Sequence, residues 1–151
     1  IGMSVRKGTP KPDISSVEGL KQTLLDAKSI AYSASASGTY LSNELFPRLG
    51  VAEQIKHKAT KIYSERVGAV VLRGDAEIGF QQVSELLPFK ELEFVGPLPE
   101  EVQQRVFFSA GVAEGAADTA VASHLIRFLA APAAAPIVRS TGMEPAAAAA
   151  R

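Results

Sequence analysis

Apolar and polar residues alternate from the first position. Ile1, Met3 and Val5 set against Gly2, Ser4 and Arg6 have the period of a strand over residues 1–6. Pro10 and Pro12 make Gly8–Asp13 a loop. Ser15-Ser16-Val17-Glu18 then fits an S-x-x-E capping box, and Leu20, Leu24 and Leu25 give a helical apolar face to about Ala27. Ser29–Ser33 is a short strand. Leu41, Leu45 and Leu49 fall at steps of four with Phe46 beside them, which predicts a helix with one stripe on the core. Pro47 is placed to kink its end, and Gly50 to stop it. Val51–Ala59 reads as a short helix and Thr60–Tyr63 as a third strand. Val67–Leu72 is ambiguous. It is either a strand turning on Arg73-Gly74-Asp75 or a helix ending at Gly74, and the running strand–helix alternation favours the helix. Glu77–Gln82 is the next strand, Val83–Leu87 a small helix and Leu92–Val95 another strand. Pro97 and Pro99 mark a loop, and Arg105–Ala113 is expected as a long apolar strand. Asp118 caps a helix carrying Val121, Leu125, Phe128 and Leu129. Pro132 opens a last helix that Gly142 closes, and Met143–Arg151 is expected as a disordered tail.

Strand–helix alternation of this kind predicts an α/β fold with a mostly parallel sheet flanked by helices. In such sheets ligands sit at the carboxyl ends of strands, against helix starts. Composition narrows the chemistry. Sixteen basic residues balance sixteen acidic ones with no basic block, which argues against nucleic acid. Without cysteine there are no disulfides or thiolate metal sites, and the two histidines, His57 and His124, have no metal-ligand spacing. No apolar run approaches the roughly 20 residues of a membrane span. The chain opens inside a strand with no signal peptide before it, as a fragment or a mature half of a longer protein would.

Three stretches carry candidate chemistry. In Ser33-Ala34-Ser35-Ala36-Ser37-Gly38-Thr39-Tyr40, small residues leave a strand end and enter a helix. The first turn of a helix has unpaired N–H groups and partial positive charge, so an anion can bind there if nothing bulky intervenes. Ser35, Ser37 and Thr39 add hydroxyls, and Gly38 permits close approach. The same residue types also cap helices with no ligand present. Ser64-Glu65-Arg66 repeats the grammar after the third strand, with Arg66 as a fixed charge suited to a carboxylate. An exposed Glu–Arg pair would account for the same residues. The third stretch ends a strand in Gln81 and Gln82, whose amides suit an oxygen-rich ligand or simply face water. Arg73-Gly74-Asp75 is read as a helix stop and not as an adhesion signal. No catalytic triad, P-loop or dinucleotide fingerprint is present.

Four blocks in order carry a resemblance. They are VRKGTPKPDISSVEGLKQTLLDAKSIAYS, SASGTYLSNELFPRLG, VGAVVLRGDAEIGFQQVSELLP and FFSAGVAEGAADTAVASHLIRFLAAPAAAPIVRSTGMEP. Together they resemble the C-terminal part of bacterial extracellular solute-binding proteins of the molybdate-binding type, from Ile1 to about Pro145. The resemblance implies one lobe of a type II periplasmic-binding-protein clamshell. Residues 1–113 would form the second lobe with both crossover strands, Ile1–Gly8 and Arg105–Ala113. Residues 114–142 would be C-terminal helices packing near the first lobe, and 143–151 a tail.

The resemblance also implies a site. Backbone N–H groups would come from about Ser37, beside Gly38, and from about Glu65 or Arg66. The family's tyrosine position falls on Gln82, a departure from the family pattern, as is Arg66 near the second N–H. Both departures leave room for an organic acid in place of molybdate. The expected ligand-binding set is therefore Ser35, Ser37, Gly38, Thr39, Ser64, Glu65, Arg66 and Gln82, with no catalytic residue, metal or cofactor. The expected partners are a small anion and, through the full-length parent, the permease of an ABC importer, with the parent in the periplasm. Two alternatives stand. Some proteins resembling this family isomerise aconitate, for which only Tyr63 and Glu65 here come into consideration as a base. A non-binding half would instead self-associate through residues 118–142.

Overall fold

The computed structural model describes residues 1–145, so most of the expected tail, 146–151, lies outside the described residues. The chain divides into two compact units, Ile1–Val106 and Phe107–Arg151.

The first unit is built on a five-stranded sheet in the order β3-β2-β4-β1-β5. Its strands are β1 (Gly2–Arg6), β2 (Ile30–Ser33), β3 (Ala59–Ile62), β4 (Ile78–Gln81) and β5 (Leu92–Pro97). β2 runs parallel to β3 and to β4, whereas β1 lies antiparallel between β4 and β5. A single reversed strand in an otherwise parallel sheet is compatible with the α/β expectation. The helices are α1 (Val17–Asp26), α2 (Ala36–Tyr40), α3 (Phe46–Arg48), α4 (Ala52–Ile55), α5 (Val67–Arg73) and α6 (Val83–Leu86).

Two apolar clusters cover the sheet. Met3, Val5, Ile30, Ile78 and Phe80 bury against Leu20 and Leu24 of α1 and against Leu41, Leu45 and Phe46. On the other cluster Ala31 and Leu92 meet Val67, Val70 and Val71 of α5. Side chains alternate along a strand, so Gly79 faces the second cluster between Ile78 and Phe80. A Cβ there would stand 2.5 Å from Val71 Cγ2 and 2.7 Å from Val67 Cγ1, so its absence lets α5 press onto the strand.

Local signals are largely realised, with shifts that have physical causes. The cap of α1 is Ser16, whose Oγ accepts from Gly19 N–H (3.1 Å); Ser15 instead turns to Asp13, so the S-x-x-E frame is displaced by one residue. At the other end of α1, Lys58 Nζ donates to the carbonyls of Leu25 (2.5 Å) and Ala27 (2.6 Å), satisfying carbonyls that the helix leaves open. The short helix expected over Val51–Ala59 is only Ala52–Ile55, because Ala59 already pairs with Ile30 in β3. Val67–Leu72 is a helix, ended by Gly74 at φ 88°.

Between α2 and α3 the helix widens into a π turn over Leu41–Leu45, closed by Phe46 N–H on Leu41 C=O. Pro47 follows immediately and has no N–H to return to the α ladder. The turn lets Leu41, Leu45, Phe46 and Leu49 all bury.

The expected strand over Arg105–Ala113 does not form: the segment is irregular and pairs with no strand among the described residues. Apolar β-formers make a strand only where a neighbour offers a ladder. The second unit, taken by itself, holds α7 (Thr119–Leu129), a single 3-10 turn (Pro132–Ala134) and α8 (Ala135–Ser140). Asp118 Oδ1 caps α7 by accepting from Val121 N–H (2.9 Å), and Gly142 follows α8 at φ 81°. None of the residues of α7 or α8 is buried. No single helix among the described residues is long and apolar enough to cross a membrane.

Candidate functional site

Parallel pairing decides which loops meet. β3, β2 and β4 are neighbours running the same way, so their carboxyl ends, Ile62, Ser33 and Gln81, lie along one edge of the sheet. The three sequence-predicted stretches follow directly from these ends. They are brought to one edge although some forty residues of chain separate the outer two. Ile1 and Gln103 are at this edge as well. Gly2 pairs with Gln81 and with Pro97, the Ile1 nitrogen donates to Gln103 Oε1 (2.7 Å), and Gln103 Nε2 donates back to Ile1 C=O (2.9 Å).

At the end of β2 the chain turns sharply into α2. The hydroxyls of Ser33, Ser35 and Ser37 form a triangle with edges of 2.7, 3.0 and 3.2 Å. Ser37 and Ser33 are buried and Ser35 is exposed. Three hydroxyls have three protons for three bonds, so the triangle satisfies itself and only exposed Ser35 has freedom to turn outward. Ser35 occupies the cap position of α2 without making a side-chain capping bond. Thr39 is exposed on the next turn. Gly38 has a structural duty: a Cβ would lie 1.6 Å from Ser33 C=O, so the helix start rests directly on the strand end. Ser42 Oγ donates to Gly38 C=O (3.0 Å), just before the helix widens into its π turn.

At the end of β3, Ser64, Glu65 and Arg66 are all exposed. Glu65 is not free. Its two oxygens accept from Arg73 Nη1 (2.7 Å) and Nη2 (2.8 Å), and Arg73 also bonds Asp75. Hydrogen bonding to Arg73 holds the Glu65 carboxyl below its ordinary value of 4.5 and raises the Arg73 guanidinium further above its own. The clamp spans the length of α5, from the residue before its cap to its last turn. It draws the Glu65 side chain toward a cavity of about 200 Å³ that touches Ser29 and Thr60 near the amino ends of the strands and also Ile62, the carboxyl end of β3. A larger cavity of about 410 Å³, between the Pro10–Asp13 loop, α1 and Glu77, lies away from the three strand ends. Arg66 caps α5 in extended conformation and has no acidic partner among the described residues. Tyr63 is 80% exposed.

At the end of β4, Gln82 is the half-buried residue before α6, with no side-chain capping bond. Its neighbour Gln81 is more deeply placed, and Gln81 Oε1 accepts from Val67 N–H (3.0 Å), the first N–H of α5. Sequence reasoning noted both glutamines but carried only Gln82 into the site. The missing signal was β parity: Gln81 shares the Gly79 face, which is the face α5 covers. Within this unit the edge is therefore an open row of donors (hydroxyl, backbone N–H, guanidinium and amide), with no cluster of metal ligands among the described residues.

Comparison with known proteins identifies the family. The profile of the family described as bacterial extracellular solute-binding protein matches residues 1–144. An aconitate isomerase from Pseudomonas sp is 43% identical over 145 residues, which cover 96% of this chain and 55% of that protein. The chain thus spans about half the length of the curated relative it matches.

Proposed function

The chain belongs to the bacterial extracellular solute-binding proteins, and from that premise and the edge geometry we propose that it is the lobe that holds a small organic polycarboxylate. The observation that carries this reading is Arg66. It stands at the carboxyl end of three adjacent parallel strands without an acidic partner among the described residues, while the neighbouring Glu65 is already claimed by Arg73. A guanidinium matches a carboxylate with two parallel hydrogen bonds. Around it the start of α2 (the Ser35 and Thr39 hydroxyls and the backbone N–H groups of Ser37 and Gly38), the turn at Ser64–Glu65 and Gln82 supply neutral donors. Fixed donors hold a dehydrated anion where water cannot compete, and the acceptor count of the ligand sets selectivity.

The reciprocal clasp of Ile1 and Gln103 supports a second element of the proposal. Ile1 and Gln103, near the two ends of the Ile1–Val106 unit, lie side by side at the site edge. In a two-lobed protein that is where the lobes would join, so that closing them covers the ligand. The full-length protein would then act outside the cytoplasm, delivering the ligand to an ABC importer.

The relative named aconitate isomerase favours a second use of the same site. Moving a proton along a tricarboxylate needs a base near its operating pH. Glu65 is a poor one, because Arg73 stabilises its ionised form. On this reading the edge described here holds the carboxylates, and a group outside Ser64–Arg66 moves the proton.

Calorimetry of the full-length protein with cis-aconitate, trans-aconitate and molybdate tests the proposal. Carboxylate binding that falls about 10-fold or more in Arg66→Ala is expected. Tight molybdate binding with no heat from either aconitate would sink it. Proton NMR of the same samples then separates the two uses: interconversion of cis and trans isomers marks the enzyme, stable isomers the transport protein.

A further inference from the structure

We infer that Gln81 is a specificity-determining residue of this site, presenting a donor-only amide that requires an oxygen acceptor on the ligand. The inference rests on the polycarboxylate reading and adds to it a residue that reading did not use. Gln81 is the last residue of β4 and only 4% exposed, so its side chain has one place to go. Its Oε1 takes the Val67 N–H at 3.0 Å. That bond fixes the amide's orientation, since the flipped form would set N–H against N–H. The NH2 group must therefore point away from Val67.

Among the described residues this nitrogen has no hydrogen-bond partner. The sealed side-chain polar atoms that lack partners are Ser4 Oγ and Glu85 Oε2. The Gln81 nitrogen is not one of them and so is not fully sealed, and Val67, which its amide oxygen holds, directly follows Arg66. Its antiparallel neighbour Gly2 has no side chain of its own, and the Phe94 ring stands where one would be. A nearly buried amide with a fixed acceptor offers its remaining donor to whatever reaches it, water in the free protein and a ligand oxygen in the complex. A deprotonated carboxylate oxygen, next to the one that Arg66 holds, takes that donor in the complex. An amine or a protonated acid in the same place would set donor against donor.

Gln81→Glu is the discriminating variant. It keeps an oxygen for the Val67 N–H, so the start of α5 stays paired, but it replaces the donor with a charged acceptor. With trans-aconitate as the probe, calorimetry of the full-length protein should show a loss of about 50-fold or more, while the melting temperature of the free protein stays within a few degrees. Unchanged affinity in this variant would overturn the inference; because a new carboxylate also repels an anion by charge alone, a loss is assigned to the amide only together with a shift of its own resonances on ligand addition. A measurement on the unmutated protein covers a variant that fails to fold. The Gln81 side-chain amide protons should move downfield when trans-aconitate is added, and unmoved resonances at saturation overturn the inference. If the unmutated protein binds neither aconitate nor molybdate, the polycarboxylate reading falls, and this one with it. Binding by the unmutated protein with an indifferent Gln81→Glu removes this one alone.

Discussion

The starts of α2 and α5 share a sequence grammar and use it differently. Each follows a parallel strand through a short polar turn, and each has a glycine in its first turns. At α2 the polar groups turn inward: three serine hydroxyls bond one another and Gly38 lays the helix on the Ser33 carbonyl. At α5 the polar groups are drawn out along the helix. Glu65 reaches Arg73, a glutamine from the neighbouring strand takes the first N–H, and Gly68 makes room for the Phe89 ring. The lesson is that a polar turn before a helix is not by itself a ligand site. What matters is which donors remain after the protein has used its own. By that measure α2 keeps few side-chain donors, whereas the α5 start keeps Arg66 and the Gln81 amide.

The glycines give the largest test of this contrast. Gly38→Ala should cost about 3 kcal/mol or more, because the new Cβ meets backbone that cannot rotate away. Gly68→Ala meets the edge of a phenyl ring, at 2.4 Å, that can turn aside, and should cost about 1 kcal/mol. Chemical denaturation of both variants measures the difference. Equal costs would mean that α2 is not seated on its strand.

The charge clamp at α5 should respond to acid. The Glu65 carboxyl lies below its ordinary value of 4.5 in the folded protein. Its stabilising contribution is therefore complete above that value and disappears as the pH falls through the folded one. Glu65→Gln should melt below the unmutated protein at pH 7, and the gap should narrow as the pH falls below 4.5. A gap that stays constant through that fall would assign the loss to something other than the ion pair. The exposure of both side chains keeps the effect modest.

A modest effect is also expected at Ser35. A serine that caps a helix usually contributes about 1 kcal/mol. Ser35 has the position without that bond, so Ser35→Ala loses only its two edges of the serine triangle and should cost about 1 kcal/mol. A loss well above about 2 kcal/mol in urea would mean that its hydroxyl also caps α2 in solution.

How much was legible follows from the range of each signal. Leucine spacing gave α1 and the stripe from Leu41 to Leu49, and Gly50, Gly74 and Gly142 marked helix ends, all at positive φ. The ambiguous Val67–Leu72 was decided by the alternation around it. The capping frame of α1 slipped by one residue because Ser15 and Ser16 are equally suited, and only Asp13 distinguishes them. The strand expected at Arg105–Ala113 failed because a β pattern states what a segment tolerates and not whether a partner exists. Of the candidate site, the three loops were legible as polar turns after strands, whereas the spent carboxylate of Glu65 and the oriented amide of Gln81 were not.

By itself, then, the sequence determined the period of most elements, the glycine stops after Leu49, Arg73 and Thr141, and the α/β class that the alternation requires. These depend on residues within a few positions of one another. The tertiary structure decided the reversed placement of β1 between β4 and β5, the capping of α1 by Lys58, the common edge reached by three distant loops, and the Val67–Gln81 and Ile1–Gln103 bonds there. Those depend on groups 14 to 102 residues apart. Such pairs meet only when the sheet order is set, and that order follows from burying two apolar faces at once, which no local window of the chain contains.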